Sequence, residues 1–222
     1  MIKLLLIGEE ARTNAFRGNI QNTDNFEIDL SDGDEEEDFE EYDVIVDLNL
    51  DDDDENMPIY AGLKDKIVLV SSTKQSLAES TYTASAKVKC KLFGINAMAY
   101  YLQDRKWEIS AFRFNEYESL APVLNLLQAN MIQVADRVGM LRPRIDFVRF
   151  NELAFCIQEQ IASGHDIEKF FQDNPLETID QIGITDVFEN LMAMYEDTKE
   201  GRYKPSPLLK TKYLRNQKFI KK

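Results

Sequence analysis

The sequence predicts an α/β amino-terminal half built on a parallel sheet, followed by an all-helical carboxyl-terminal half. Short apolar runs recur through the first half, separated by segments of crossover length. From Arg144 onward, apolar residues recur three and four positions apart, as on the buried face of a helix. The pattern changes near Gly139, so we divide the chain into residues 1–138 and residues 139–222.

Four strands are predicted in the first third of the chain. Residues 2–7 form a continuous apolar run that ends at a glycine, which is typical of a strand buried on both faces of a parallel sheet. Residues 25–30 alternate apolar and polar side chains, and residues 42–50 and 66–71 are further strand-like runs. A short helix is predicted after the first strand, through Ala15, and the segment 59–63 between the last two strands has helical character.

The strand pattern weakens in the middle of the chain, and the last third is helical. Further strands are predicted at residues 92–93, 107–112 and 131–135, with a helix over 116–130. The helices predicted in the last third cover residues 144–161, 167–171 and 187–195.

Length and composition exclude several classes of protein. A chain of 222 residues buries a sizeable core without disulfides or metals. The amino end lacks the pattern of a secretory signal, and no apolar stretch approaches the roughly 18 to 20 residues that span a bilayer. We therefore expect a cytoplasmic protein with no membrane partner.

The negative charge is concentrated at one end of the chain. The net charge is -14, and residues 1–60 contain 3 Lys and Arg against 20 Asp and Glu, a balance of -17. Nucleic acid is not expected as a partner, because phosphate binding needs positive charge. The acidic runs at 31–43 and 51–55 are typical of solvated, mobile loops. A calcium loop is disfavoured because its glycine and closing glutamate are not in place.

The cysteines and the single histidine do not form a metal or redox motif. Cys90 and Cys156 lie far apart, and we expect both to be buried free thiols. His165 follows Ser163 and Gly164 just before a helical pattern, so we expect a surface residue near a helix start. No metal site is predicted.

Several motifs occur in an order that is similar to that of a known family. The chain resembles 3-hydroxyacyl-CoA dehydrogenases, whose motifs run D-x-P-G-F-I-x-N-R, N-E, A-S-x-x-D-I-D, D-x-x-G-L and R-Y-x-P-x-P-L-L. The matching segments are DRVGMLRPR at 136–144, NE at 151–152, ASGHDIE at 162–168, DQIGI at 180–184 and RYKPSPLL at 202–209. In the first half, residues 67–77 resemble the family's strand and S-N-T-S-S-L turn, and Gly94-Ile95 resembles the start of G-x-H-F-F-N-P.

The resemblance implies a two-domain architecture. It consists of a Rossmann-like, doubly wound NAD-binding domain and a helical domain of the 6-phosphogluconate dehydrogenase C-terminal-like type. The family's dimer contact lies in the helical domain, so a homodimer through that domain is expected. Fatty-acid metabolism is the setting that the resemblance implies.

The resemblance places the family's catalytic dyad at Asn96 and Glu108. In the family, a histidine oriented by a glutamate removes the hydroxyl proton while hydride passes to NAD. Asn96 stands at the histidine position, and an amide does not accept a proton at neutral pH, so a base commonly worth about 10² to 10⁴ in rate is missing. The family's substrate-contacting asparagine aligns with Pro143, and its catalytic serine aligns near Gln75 and Ser76.

The cofactor positions have changed as well. The G-x-G-x-x-G loop aligns with GEEART at residues 8–13, which keeps only Gly8, and Glu9 and Glu10 stand where phosphate should lie. Asp29, assigned to the end of strand two, matches the ribose-binding acid. The family's helical pair over CoA is replaced by the acidic run 31–43. NAD is therefore implied by resemblance alone, and we expect no cofactor.

Three functions are compatible with these observations. The first is a homologue that has lost NAD binding and catalysis and acts as a binding or scaffold protein. The alternative is a divergent NAD(P)-dependent oxidoreductase acting on a 3-hydroxyacyl-CoA or a related hydroxy acid. The third is an acidic surface over residues 31–55 that recruits a basic protein partner.

Overall fold

The computed structural model describes residues 1–20, 26–33, 37–127 and 129–220. The chain divides into two compact units, Met1–Met140 and Leu141–Lys222. The first unit is α/β and the second is all-helical, which confirms the predicted fold class. Three predicted segments include residues outside these ranges. They are the strand at 25–30, the acidic run at 31–43 and the helix at 116–130, and the residues concerned are 25, 34–36 and 128.

The described part of the first unit contains a seven-stranded sheet in the order β2-β1-β3-β4-β5-β6-β7. Neighbouring strands are parallel except β5 and β6, which are antiparallel. The strands are β1 Ile2–Ile7, β2 Phe26–Ser31, β3 Val44–Asp47, β4 Ile67–Ser71, β5 Lys91–Ile95, β6 Lys106–Ala111 and β7 Asn130–Gln133.

Helices cover both faces of this sheet. One face buries Leu4 and Leu6 against Phe16 of α1, and the other buries Leu5 and Ile7 among the side chains of α2 and α3. This alternation along β1 explains why an uninterrupted apolar run forms an interior strand of the sheet. The helices are α1 Glu10–Arg17, α2 Met57–Gly62, α3 Leu77–Thr83, α4 Ala99–Leu102 and α5 Tyr117–Leu127, with 3-10 turns at Phe39–Glu41 and Phe114–Glu116.

The second unit is built from helices with short connections. Gly183 has a φ of +110° and separates α8 from α9, a conformation that favours glycine. The helices are α6 Arg142–Gln158, α7 Gly164–Phe170, α8 Pro175–Ile182, α9 Ile184–Thr198 and α10 Pro207–Leu214, with a 3-10 turn at Gly201–Tyr203. Every helix in the described residues is too short or too polar to cross a membrane.

The two cysteines differ in their exposure. Cys90 is buried just before β5, as expected, and burial raises the pKa of its thiol to about 12. Cys156 lies near the end of α6 and is only half-buried, so the expectation of a buried thiol is wrong for this residue. His165 is exposed in the first turn of α7.

Candidate functional site

The candidate site lies at the carboxyl edge of the sheet, where the loops after β1, β3 and β4 meet. The chain crosses to β2 on one side of β1 and to β3 on the other, so the strand order reverses at this point. Ligands of open α/β sheets bind in the crevice that such a reversal creates. The side chains that fill this crevice therefore decide what it can bind.

Gly8 is required by a close approach of the chain to itself. Its φ is +152°, and a Cβ at this position would lie 3.1 Å from the Leu48 Cβ and 3.3 Å from the Asn49 Oδ1. The next amide, Glu9 N–H, donates a hydrogen bond to Asn49 Oδ1 over 3.2 Å. A donor at the start of α1, of the kind that binds phosphate in dinucleotide sites, is therefore already used by the β3–α2 loop.

Arg12 crosses the crevice from α1 to the same loop. Its buried guanidinium donates to the Leu48 carbonyl over 2.7 Å and to Asn49 Oδ1 over 3.3 Å. It also pairs with the Asp52 carboxylate at 2.7 Å and approaches Glu9 at 3.8 Å. Arg12 thus fixes the β3–α2 loop against α1.

Asp52 joins two cations, Arg12 of α1 and Lys74 of the loop after β4. The Lys74 Nζ lies 2.5 Å from the Asp52 Oδ1, whereas Arg12 contacts the other carboxylate oxygen, Oδ2. Burial opposes ionisation of Asp52, but the Lys74 hydrogen bond and the Arg12 charge outweigh it and lower the pKa. Asp52 is therefore an anion held between two cations.

Asp51 anchors the loop that follows β4. Its carboxylate accepts hydrogen bonds from Thr73 N–H at 2.6 Å, Thr73 Oγ1 at 2.8 Å and Lys74 N–H at 2.9 Å. Burial raises the pKa of this carboxyl, and the hydrogen bonds from Thr73 and Lys74 limit the rise. The expectation that residues 51–55 form a solvated loop is therefore wrong for Asp51, whereas Asp52 is exposed and paired with two cations.

The two positions of the family's dyad lie side by side, Asn96 directly after β5 and Glu108 on β6. Asn96 and Glu108 are 4% and 2% exposed, and Asn96 N–H donates to the Glu108 carbonyl over 3.4 Å. The Asn96 Oδ1 accepts from Met98 N–H at 3.4 Å, while its buried Nδ2 has no hydrogen-bond acceptor among the residues that the structure describes. The arrangement supplies a buried amide and a buried carboxyl without an imidazole between them.

The sheet is very tightly packed beside this pair. A Cβ on Gly94 would lie 2.6 Å from the Ser110 Oγ and 2.7 Å from the Ser72 Cβ. All three residues come from adjacent strands or their ends, β4, β5 and β6. Neither serine was predicted as part of a site, although a serine directly after an apolar strand or within one is a visible irregularity in the pattern.

The other residues aligned with family substrate contacts have structural roles. The Ser76 Oγ accepts from Glu79 N–H at 3.1 Å and caps α3. The Gln75 Oε1 accepts from the Ser80 hydroxyl at 3.1 Å. Pro143 is buried in the first turn of α6, where the missing N–H has no intrahelical partner to lose.

Asp29 has a different position from the one expected. Strand β2 continues to Ser31, and the Asp29 carboxylate accepts from the Tyr42 hydroxyl at 3.1 Å. A cavity of about 510 Å³ beside Gly8 is lined instead by Ser31 and Asp32. Asp32 is the acid directly after the strand, and its place two residues beyond the alternating run 25–30 was the available indication.

Asp47 is a further buried acid that the sequence analysis did not single out. It ends β3 and accepts from the Tyr60 hydroxyl at 2.9 Å and from Asn49 N–H at 2.8 Å. Burial raises its pKa to about 6, against those two hydrogen bonds. Within the residues that the structure describes, no group of three or more His, Cys, Asp and Glu side chains is arranged to hold a metal ion.

Comparison with solved structures assigns the fold. No protein-family model matches the sequence. No curated protein matches it by sequence either. The structure nevertheless has a 3-hydroxyacyl-CoA dehydrogenase-like fold, as the motif resemblance predicted.

Individual structures match over nearly the whole chain. FadB2 of M. tuberculosis has a TM-score of 0.78 at 12% identity, covering 99% of this chain and 98% of its own. The (S)-3-hydroxybutyryl-CoA dehydrogenase PaaH1 from Ralstonia eutropha has a TM-score of 0.67 at 16% identity, covering 97% and 95%. Psf3 in complex with NADP+ and 2-OPP has a TM-score of 0.57 at 11% identity, covering 95% and 92%. At these identities the similarity concerns the fold alone.

Proposed function

We propose that this chain is a 3-hydroxyacyl-CoA dehydrogenase-like protein that has lost NAD binding and catalysis and acts as a non-catalytic binding or scaffold protein. The observation that carries this proposal is the filling of the crevice on the side of β3. Asn49 lies against Gly8 and accepts a hydrogen bond from Arg12, and its Oδ1 also accepts from Glu9 N–H, the N-cap amide of α1. A pyrophosphate needs that space and those donors.

The chemistry of the dyad positions supports the same conclusion. The family's reaction needs a base that is half-protonated near neutral pH, and the Asn96 amide is not one. Glu108 is buried on the neighbouring strand, with an amide in place of the imidazole that it would orient. The usual donors for the cofactor's phosphates and the usual imidazole base are therefore both replaced.

The charge around the crevice also opposes a polyanionic cofactor. Glu9 and Glu10 are exposed at the start of α1, and residues 1–60 have a balance of -17. NAD and CoA both carry phosphate charge, which is repelled by a surface of the same sign.

The partner that we propose is a second copy of the chain, through the helical unit. Exposed apolar side chains of that unit supply contact area for such a dimer, and burial of such area drives association. They are Leu141, Ile145, Ile161, Phe170 and Leu214. Sedimentation of the purified protein at several concentrations tests this part, and a monomer at 100 μM would contradict it.

Titration with NADH tests the loss of the cofactor. Trp107, the single tryptophan, is buried and stacked on Phe16 near the end of α1 with ring centroids 4.9 Å apart, so it is an energy-transfer donor within the unit that carries the crevice. We expect no saturable energy transfer and no thermal stabilisation up to millimolar NADH. Binding near or below about 100 μM, roughly -5.5 kcal/mol, would overturn the proposal.

The second candidate is a divergent NAD(P)-dependent oxidoreductase. The observation that favours it is the cavity of about 510 Å³ beside Gly8, Ser31 and Asp32, near the strand ends where such folds hold a nucleotide. Psf3, which shares the fold, binds NADP+. Oxidation of 3-hydroxybutyryl-CoA with NAD or NADP, lost in Glu108→Gln, would establish this candidate and exclude the first.

A further inference from the structure

The carboxyl-terminal segment of the helical unit is strongly basic. Residues 201–222 contain eight Lys and Arg and neither Asp nor Glu. Four exposed cations of this segment form no ion pair within the described part of the chain; they are Lys204, Lys210, Arg215 and Lys218. Exposed charges without a counter-charge are the kind that a partner of opposite sign neutralises.

Helix α10 presents two of these cations beside an exposed apolar side chain. Lys210 and Leu214 are four residues apart and share one side of the helix, and Arg215 follows directly. Leu214 is 70% exposed, whereas Leu209 packs inward and is fully buried. We call Lys210, Leu214 and Arg215 the basic face. An apolar centre with a charged rim is the composition of a protein interface.

The acids that contact this segment are bonded to other groups. The Asp180 carboxylate accepts from the N–H groups of Phe219 and Ile220 at 2.8 Å each and holds the residues after α10. The Glu189 Oε1 accepts from the hydroxyl of the half-buried Tyr213 at 3.2 Å. These contacts fix the position of the segment and leave the basic face to solvent.

The first unit carries a surface of the opposite sign. The acidic run 31–43 contains nine Asp and Glu and neither Lys nor Arg. Leu30, directly before the run, is 52% exposed on β2, the edge strand of the described sheet. The run leads from β2 to β3, and the exposed acids in its described part are Asp32, Asp38, Glu40, Glu41 and Asp43. Its composition therefore mirrors that of the basic face.

We infer that the acidic run 31–43 of one protomer binds the basic face of a second copy of the chain. The inference rests on the proposed function, which gives the chain a second copy as its partner. In a two-fold dimer the contact forms twice, because each protomer carries both surfaces. Carboxylates of the run pair with the Lys210 and Arg215 side chains, and Leu214 is removed from water.

A second copy fits the basic face better than a nucleic acid or an anionic membrane does. Helix α10 has 8 residues, which corresponds to a length of about 12 Å, on a protein whose net charge is -14. A duplex or a membrane extends beyond this small patch and meets the acidic remainder of the protein. A short acidic run meets only the charges within a Debye length, which is about 8 Å at 0.15 M salt.

The acidic side of the contact is tested by a pair of matched variants. Asp38→Asn/Glu40→Lys removes negative charge from the run and keeps an acceptor for the Glu40 N–H, which the Asp38 Oδ1 binds at 3.2 Å. Asp53→Asn/Glu55→Lys makes the same change in the run 51–55, where the Asp53 Oδ1 accepts from Glu55 N–H at 3.2 Å as well. The two variants therefore differ only in which acidic run they alter.

The basic side is tested by the opposite change of charge. Lys210→Glu/Arg215→Gln reverses the sign of the basic face without placing an acid at the end of α10, where the helix dipole would oppose it. Lys87→Gln/Lys89→Glu is the control, on two exposed lysines of the first unit.

Sedimentation equilibrium of the full-length proteins in about 0.15 M NaCl measures the dissociation constant of the dimer. We expect each test variant to raise this constant about tenfold and each control to change it less than about twofold. An equimolar mixture of the two test variants should return to near the wild-type value, because each contact between unlike variants again joins opposite charges. Mixing would not restore a contact made within one chain.

Equal dissociation constants for test and control variants, or a mixture that dimerises no more tightly than its components, would overturn the inference. Lys210→Gln/Arg215→Gln repeats the test if circular dichroism shows that Lys210→Glu/Arg215→Gln does not fold. Wild-type binding to a DNA duplex or to phosphatidylserine vesicles that is lost in the Lys210 and Arg215 variants, while the dimer is unchanged, would assign the basic face to a polyanion and likewise overturn it.

These outcomes are separate from those of the proposed function. NADH binding by the wild-type chain would refute the loss of the cofactor, whatever the dimer variants show. A dimer of unchanged strength in every variant, with a wild type that does not bind NADH, would leave the proposed function standing and remove the contact between the acidic run and the basic face.

Discussion

Asp47 shows at the scale of one residue how burial changes the chemistry of a side chain. Its carboxyl is 2% exposed, and burial raises its pKa from 3.8 to about 6. Between about pH 4 and pH 6 the folded protein therefore holds a proton on Asp47 that the unfolded chain has lost. Stability falls with rising pH wherever the folded state binds more protons, so this residue favours folding most below about pH 4.

Asp47→Asn should remove that pH dependence. The asparagine has one acceptor oxygen for the two donors, the Tyr60 hydroxyl and Asn49 N–H, so one hydrogen bond is lost to the same extent at every pH while the charge is absent at every pH. We therefore expect the free energy of unfolding of the variant, relative to the wild type, to be about 2 to 3 kcal/mol more favourable at pH 8 than at pH 4. Urea unfolding at the two pH values measures this difference. Asp54→Asn is the matched control, and a constant offset between variant and wild type at both pH values would contradict the prediction.

Individual residues were partly predictable from the sequence. Asn96 and Glu108 are neighbours in the structure, in agreement with the spacing of the motifs, whereas their functional roles stay a prediction. Asp47 and Asp51 were missed because a carboxylate that faces a protein interior has the same sequence pattern as one in a solvated loop. Only the hydrogen bonds of Asp51 to the loop after β4 distinguish the two cases.

At the scale of elements, the contact between β4, β5 and β6 leaves no room for one methyl group. In Gly94→Ala, the new Cβ would meet the Ser110 Oγ at 2.6 Å and the Ser72 Cβ at 2.7 Å. Strands in a buried sheet cannot separate without breaking their ladder, so overpacking here should cost about 1 to 3 kcal/mol.

Chemical unfolding of Gly94→Ala and Gly62→Ala measures this cost. Gly62 is the last residue of α2, and a Cβ there would meet no atom within 4 Å. Its replacement should therefore be neutral or slightly stabilising. Equal free energies of unfolding for the two variants would show that the sheet relaxes around the added methyl.

The segment that carries the DRVG motif joins two elements of the first unit. The Asp136 carboxylate accepts from Leu77 N–H at 2.7 Å and Ala78 N–H at 3.0 Å, at the first turn of α3. Gly139 has a φ of +81°, and its N–H donates to the Thr73 carbonyl over 2.7 Å. Asp136 and Gly139, which contribute to the family resemblance, thus have structural roles that do not depend on catalysis.

Asp136→Ala should lower the free energy of unfolding by about 1 to 2 kcal/mol, because it leaves two amides at a helix start without their acceptor. Glu118→Ala, on an exposed acid in the first turn of α5, is the control and should change little. Thermal melting of both variants measures the difference. Equal melting temperatures would mean that water satisfies the α3 amides as well as Asp136 does.

Elements were predictable where a pattern was long enough to repeat. Every strand of the sheet was predicted, because buried strands of this sheet are apolar runs bounded by polar residues. Four helices, α3, α4, α8 and α10, were not predicted. None exceeds 8 residues, too few turns for a 3.6-residue period to stand out from the flanking loops.

At the scale of the whole molecule, the charge is divided between the two units. Residues 141–222 contain thirteen Lys and Arg and thirteen Asp and Glu, so the entire net charge of -14 lies on residues 1–140. Self-repulsion of this kind destabilises a compact state. Salt reduces it, since the Debye length falls from about 30 Å at 0.01 M to about 8 Å at 0.15 M.

Salt should therefore stabilise one unit and leave the other nearly unchanged. We expect amide hydrogen exchange of the full-length protein at pH 7.5 to slow in β1 and β3 between 0.01 M and 0.3 M NaCl, and to change little in α6 and α9. The ion pairs of Asp52 with Arg12 and Lys74 work against this effect, because salt weakens attraction as well as repulsion. The two cations are poorly exposed, however, so their pairs are screened less than the many exposed carboxylates around them. Equal slowing in both units would mean that salt acts through apolar burial rather than through charge, because the core of each unit would then respond alike.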